Sequence, residues 1–199
     1  MTKRLFDLAL ASLGLLLLGP VLLLIAAWIK LDSPGPVFFR QQRVGRNGKL
    51  FCIHKFRTMS AAQTSAEASL ITVGADPRIT RAGATLRRTK LDELPQLIDV
   101  VLGDMSLVGP RPEVPRYVAL YPEALRLKVL SVRPGITDLA SIEYRNESEL
   151  LARAADPERE YVEVVMPAKL RAAARYVDEM SLATDVRVLG STLRALWIH

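Results

Sequence analysis

From Leu8 to Ile29 the chain is apolar and carries no charge, and no other feature restricts its fold as much. As a straight helix rising about 1.5 Å per residue the run is roughly 33 Å long, enough to cross the hydrocarbon core of a bilayer. It exceeds the apolar core of a secretory signal, about 7–15 residues, and no convincing small-residue cleavage site follows, so it is expected to stay in the protein. Lys3 and Arg4 precede it, while Lys30, Arg40, Arg43 and Arg46 follow it. The positive-inside rule draws both flanks to the cytoplasm, which a simple single crossing does not satisfy. Gly19-Pro20 lies near the middle, where proline removes a backbone donor and clashes with the preceding turn, so a kink or break is expected there. A re-entrant helix that enters and returns to the cytoplasmic leaflet reconciles the charges, and is favoured over a kinked spanning helix, the alternative that tolerated prolines leave open. Asp7 is spaced to pair with Lys3 or Arg4, and Trp28 suits an interfacial belt.

Asp32-Ser33-Pro34-Gly35-Pro36 is rich in helix breakers, and divides the chain into a membrane helix, residues 1–33, and a globular domain, residues 34–199. With 199 residues, half of them hydrophobic, one core can be buried. The expected class is α+β: a mainly helical, membrane-associated domain with a β-hairpin and the re-entrant, Pro-broken helix in front of it. Val37-Phe38-Phe39 and Phe51-Cys52-Ile53 have strand composition, with Gly45-Arg46-Asn47-Gly48 as the turn. The segment from Arg40 to Arg57 contains six basic residues and no acid; it reads equally as a solvated hairpin or as one lying against anionic headgroups. Residues 60–70 read as a connector. Leu94, Leu97, Ile98, Val101 and Leu102 recur at helical spacing, Asp156-Pro157 is an N-cap and first-turn proline, and Asp185 opens a last helix through Trp197. The net charge of +6 and pI near 9.7 favour anionic partners. Cys52 is the only cysteine, which excludes an intrachain disulfide and fits a reducing compartment.

Leu91-Asp92-Glu93-Leu94-Pro95 is the chemical centre of the sequence. Proline is harmless only in the first turn of a helix, so the helix should start near Asp92, placing both carboxylates at the positive end of its dipole. Capping by Asp92 alone is the plain explanation. Against it stand Arg87, Arg88 and Lys90 just upstream, and Arg111 and Arg133 in the stiff loops Gly109-Pro110-Arg111-Pro112 and Arg133-Pro134-Gly135. Arginines held in this way suit bidentate phosphate recognition. Carboxylates beside arginines suit a carboxylate, Mg²⁺ and phosphate bridge. His54 and His199 lie far apart and no zinc ligand set is visible. Nor is there a Walker, nucleophile-elbow or dinucleotide-binding sequence.

Five blocks then identify a family: His54-Lys55-Phe56-Arg57-Thr58-Met59, Asp76-Pro77-Arg78-Ile79-Thr80, Leu91 to Leu97, Gly103 to Pro112 and Arg133-Pro134-Gly135-Ile136-Thr137. In this order they resemble the successive signatures of the bacterial sugar transferases, the monotopic phosphoglycosyl transferases, over essentially the whole chain. The resemblance implies transfer of a sugar 1-phosphate from a UDP-sugar to polyprenol (undecaprenyl) phosphate, at the cytoplasmic face of the bacterial inner membrane, as a first step of polysaccharide assembly. It implies Asp92 as nucleophile and Mg²⁺ ligand and Glu93 as its partner, either proton acceptor or metal-site neighbour. Arg88 and Arg111 become phosphate or nucleotide ligands, with Lys55, Arg57, Arg133 and Asp185 as further candidates that alternatively tie loops together. It implies the cytoplasmic leaflet as a partner and no nucleic acid, and leaves a homodimer open. Two departures stand out: Asp138 to Arg145 replaces the run Gly-Trp-Ala-Gln-Val-Asn-Gly-Arg common after this Thr, and Gly19 stands where some members have serine. The competing class is a non-catalytic, membrane-tethered basic module that binds anionic lipid or nucleic acid indifferently to Asp92 and Glu93.

Overall fold

In the computed structural model, which describes residues 2–60, 71–74, 76–144 and 146–197, the apolar run forms one helix, α1 (Thr2–Asp32). The expected connector at 60–70 lies outside the described residues, Ser60 apart. Asp7, Ala11, Ile25 and Ile29 are buried along α1, and Leu15, Leu18, Leu22 and Ala26 are partly buried beside them. These positions recur every three or four residues and so form one stripe along the whole helix. The opposite face exposes Leu5, Leu16, Leu17, Leu23, Leu24 and Leu31. Of the two outcomes expected at Gly19-Pro20, the break is not formed: the helix runs through Pro20. Proline at this position deprives the Leu16 carbonyl of its usual donor, and both residues lie on the exposed face rather than in the packed stripe.

Both ends of α1 are fastened to the same body. At the start, Lys3 donates to the Val108 carbonyl at 3.1 Å and pairs with Asp185 at 2.5 Å, and Arg4 donates to the Val100 and Val101 carbonyls. Asp7 accepts from Ser106 Oγ at 2.8 Å and Leu107 N at 3.2 Å; its expected pairing with Lys3 is present, but long, at 3.9 Å. At the far end Arg57 donates to the carbonyls of Ile29, Ser33 and Pro36 and to Ser33 Oγ, while Asp32 accepts from the Ala82 amide.

The hairpin forms as expected, with β1 (Phe38–Val44) antiparallel to β2 (Leu50–Phe56). Its turn needs left-handed backbone at Asn47 (φ 56°) and Gly48 (φ 78°), residues that adopt it at low cost. Most of its basic side chains have internal partners. Arg43 bonds Glu113 and the Pro112 carbonyl, Arg46 the Ser131 carbonyl and Lys49 Asp104.

Helices α2 (Arg81–Thr89) and α3 (Gln96–Leu102) follow, then a parallel pair of three-residue strands, β3 (Ser106–Val108) and β4 (Gly135–Thr137). Gly109 and Gly135 make that pairing possible, since a Cβ on Gly135 would lie 2.1 Å from the Gly109 nitrogen. Between and after these strands come α4 (Pro115–Val118), α5 (Glu123–Val129), α6 (Leu139–Glu143) and α7 (Glu147–Ala152). Asp156 caps α8 (Pro157–Glu160) through the Arg159 amide, as expected. A wide turn at Tyr161–Val165 joins α8 to α9 (Met166–Glu179) just ahead of Pro167. The last helix, α10 (Leu182–Trp197), begins three residues earlier than expected, because Ser181 rather than Asp185 accepts the Thr184 amide. The central core joins Ala11 of α1 to Leu97, Val100, Met105, Leu107, Val108, Tyr176 and Val188. The class is therefore α+β as read.

Candidate active site

Helix α2 is set by two local features. Thr80 caps it by accepting from the Gly83 amide, and Gly83 lies flush against the chain at Thr58, where a Cβ would stand 2.0 Å from the Thr58 oxygen. The helix ends at Lys90, which takes left-handed backbone with φ 58°. That turn drops the chain into a single tight turn, Leu91–Glu93, and α3 starts only at Gln96 with Pro95 as its N-cap. The α-helix thus begins four residues after Asp92, not at it; the carboxylates sit in the tight turn before it, where Pro95 interrupts no helical hydrogen bond. Leu91 packs against the buried cluster that holds Ile25 and Ile29 of α1, and Leu97 belongs to the cluster that holds Ala11. The Asp92-Glu93 turn is therefore one side-chain layer from α1.

Asp92 and Glu93 are both buried. Lys55, from β2, reaches between them, with Nζ 2.8 Å from Asp92 Oδ2 and 3.3 Å from Glu93 Oε1. Arg111, from the loop after β3, grips Glu93 with two nitrogens at 2.5 and 3.3 Å. Burial alone would raise the Glu93 pKa, but the charges of Arg111 and Lys55 outweigh it and hold the carboxyl well below its ordinary value. Glu93 in turn raises that of the Arg111 guanidinium. The Arg111 amide donates to Asp138 Oδ2, whose other oxygen caps α6 through the Ser141 amide.

Asp92 Oδ1 is buried and has no hydrogen-bond partner. A buried carboxylate oxygen without a donor is costly, and it has the chemistry of a hard-cation ligand or a nucleophile. Among the described residues no three His, Cys, Asp or Glu side chains form a cage. Mg²⁺ does not require one, because it is commonly held by one or two carboxylates with substrate phosphates and water. The residues present fit such an ion, which Asp92, through its unpartnered Oδ1, could hold.

The structure thus brings Asp92, Glu93, Lys55 and Arg111 together. It puts the other candidates elsewhere. Arg88 is exposed on the last turn of α2, and makes no contact with the carboxylates. Arg57 is buried and spends its guanidinium on carbonyls at the end of α1. Arg133 donates to the Gly103 carbonyl at 2.7 Å, closing the end of α3. Asp185, fully buried, accepts from Tyr176 Oη at 2.6 Å and pairs with Lys3. Burial, together with the Asp185 carboxylate, raises the Tyr176 phenol pKa. For these three the loop-tying alternative describes the observed geometry. Sequence reasoning missed a fifth feature, the bond between His54 and Asp99 beside the site. Their 45-residue separation leaves no spacing signal.

A family model described as bacterial sugar transferase matches residues 1–199. The chain belongs to the bacterial sugar transferase family. It is 40% identical to the exopolysaccharide production protein PSS of Rhizobium leguminosarum bv. phaseoli, over 96% of this chain and 92% of that protein. It is 39% identical to the UDP-glucose:undecaprenyl-phosphate glucose-1-phosphate transferase of Escherichia coli K12, over 96% of this chain and 39% of that protein. It is 35% identical to the UDP-N-acetylgalactosamine-undecaprenyl-phosphate N-acetylgalactosaminephosphotransferase of Aeromonas hydrophila, over 98% of this chain and 43% of that protein. The sugar transferase thus spans nearly all of the first relative and about two fifths of the other two. In this chain the four convergent side chains form a carboxylate pair facing two cations, a setting suited to attack on an anionic phosphate.

Proposed function

We propose that this sugar transferase moves a sugar 1-phosphate from a UDP-sugar to polyprenol phosphate at the cytoplasmic face of the bacterial inner membrane. The observation that carries the reading is the division of Asp92: Oδ2 is tied to Lys55, and Oδ1 is buried and unpartnered. An oxygen left in that state is the one able to attack. Asp92 Oδ1 bonds to the sugar-linked phosphorus while the bond from that phosphorus to the bridging oxygen breaks, and UMP leaves with the electron pair. A phosphate oxygen of polyprenol phosphate then attacks the same phosphorus and releases the Asp92 carboxylate, giving the polyprenyl diphosphosugar. Mg²⁺, held by Asp92, would supply charge neutralisation on the phosphates. Lys55 steadies the carboxylate, and Arg111, anchored on Glu93, offers the remaining positive charge at the mouth of the site. The Glu93 carboxyl, held well below its ordinary pKa, is a poor proton acceptor near neutrality; its part is to fix the two cations.

The relatives whose names specify glucose or N-acetylgalactosamine frame the donor test. Purified protein in lipid nanodiscs with Mg²⁺ and undecaprenyl phosphate is expected to release UMP from UDP-glucose or UDP-N-acetylgalactosamine, and Asp92→Asn to abolish release. Undiminished release by D92N would sink the mechanism.

A further inference from the structure

Lys55 reaches the carboxylates from β2, whereas Asp92 is fixed by the turn that opens α3. The reaction read above requires these two elements to hold one register, and among the described residues a part-buried clip of hydrogen bonds joins β2 to α3. Asp99, on α3 and 1% exposed, accepts the His54 backbone amide through Oδ2 at 2.8 Å and meets His54 Nδ1 through Oδ1 at 2.6 Å. His54 is the residue immediately before Lys55. On the other side of the ring, Arg40 of β1 donates to His54 Nε2, and also to the Cys52 carbonyl. A guanidinium has no acceptor, so Nε2 is the unprotonated nitrogen and Nδ1 carries the hydrogen given to Asp99. Every donor and acceptor of the clip is matched. Strand β2 has β1 on one side only, and the His54 amide donates to Asp99 of α3 in place of a strand. A carboxylate buried this deeply is an expensive way to fill space between a strand and a helix, since an apolar side chain of similar volume does so at lower cost. What the hydrogen-bonded clip adds is a fixed position along β2.

We propose that His54 and Asp99 are positioning residues of this transferase: by pinning β2 to α3, they set Lys55 Nζ against Asp92 and leave Oδ1 free to react. The proposal rests on the reading of Asp92 as nucleophile. Displacement of a reacting group by about 1 Å is enough to cost on the order of 100-fold in rate. The clip acts on the chemical step, not on nucleotide affinity, so it separates kcat from KM.

The test uses full-length protein in nanodiscs and the variants Asp99→Asn, His54→Ala and His54→Asn. D99N keeps the side-chain shape but offers one acceptor oxygen where two N–H groups need one. H54N restores a donor toward Asp99. Two quantities are read: kcat and KM for UMP release per folded molecule, and the rate of reductive methylation of Lys55 by peptide mass spectrometry, with Lys128 as internal control. D99N and H54A are expected to lower kcat by at least about 10-fold with KM within about twofold, to speed Lys55 methylation severalfold and to leave Lys128 unchanged. H54N is expected to recover part of both. Wild-type kcat and Lys55 methylation in both D99N and H54A, whatever their Tm, would overturn the proposal and leave the clip a purely stabilising bond. Should H54A fail to fold, D99N decides alone. Were the wild type to release no UMP from any UDP-sugar, the functional reading would fail, while the methylation comparison would still decide whether the clip positions Lys55.

Discussion

Glu93 is held between Lys55 and Arg111, and its ionisation controls how much those contacts are worth. Its folded pKa lies well below the ordinary 4.5, because Arg111 and Lys55 outweigh the burial that opposes them. A depressed carboxylate pKa contributes stability that is fully present above the unfolded value, and lost as pH falls through the folded one. Glu93→Gln keeps the shape and removes the charge; it is expected to cost about 2 kcal/mol, the scale of a charge-assisted hydrogen bond, and to lower Tm by roughly 4–8 °C for a chain of this length. Thermal unfolding in nanodiscs should show that deficit constant from pH 8 down to about 5 and shrinking only at pH values below about 4.5. A deficit that disappeared near neutrality would mean that Glu93 carries a proton there. At this scale the sequence showed which residue types the site contains, and could not show how each cation is used. Arg111 and Arg133 stand in equally stiff, proline-bounded loops, yet one meets Glu93 and the other a helix-end carbonyl. That difference is decided by the parallel crossing of β3 and β4 at Gly109 and Gly135, which no local pattern encodes.

Elements with a strong local signal formed where the sequence put them: the hairpin with its Asn47-Gly48 turn, the Asp156-Pro157 helix start and the apolar N-terminal helix. The three-residue strands are too short for a period, and the tight turn at Leu91–Glu93 is hidden because Lys90 adopts left-handed backbone, a conformation ordinarily left to Gly or Asn. Such backbone is held by its surroundings, and here the surroundings are α2. Its position depends on the missing side chain of Gly83, where a Cβ would stand 2.0 Å from the Thr58 oxygen and 2.7 Å from its carbonyl carbon. Those are backbone atoms that cannot turn aside, so Gly83→Ala must push α2 away from Thr58. The expected cost is about 3 kcal/mol, the upper range for overpacking. Because α2 leads directly into the Asp92 turn, UMP release per folded molecule should fall as well. A G83A protein with wild-type Tm and turnover would mean that α2 is free to slide without moving the carboxylates.

At the scale of the whole molecule, the contacts of α1 bear on how the protein would meet a bilayer. A helix that spans has its two ends on opposite sides of about 30 Å of hydrocarbon. Here Lys3, Arg4 and Asp7 at one end bond to Val108, Val100 and Ser106, and Ile29 to Ser33 at the other end receive Arg57. The packed stripe between them is continuous with the globular core. Were α1 to span, one of these polar fastenings would have to be abandoned or carried into the hydrocarbon with its partners. The exposed leucines on the opposite face would supply the surface that a single leaflet solvates, and Trp28 near the far end of α1 is half-exposed, a residue type suited to the headgroup region. A monotopic placement would keep both ends of α1 on one side of the bilayer, with α1 between the Asp92 turn and the lipid that its exposed leucines would meet. Cys52, the only cysteine, is exposed, so Cys52→Ser gives a background for single probes at two exposed positions, Thr2→Cys and Ser131→Cys. In intact spheroplasts neither probe should react with a membrane-impermeant maleimide, and both should react after permeabilisation. Labelling of T2C from outside, with S131C protected, would place the first turn of α1 across the bilayer from the catalytic body. It would require the contacts of Lys3 with Val108 and Asp185 to be absent in the membrane.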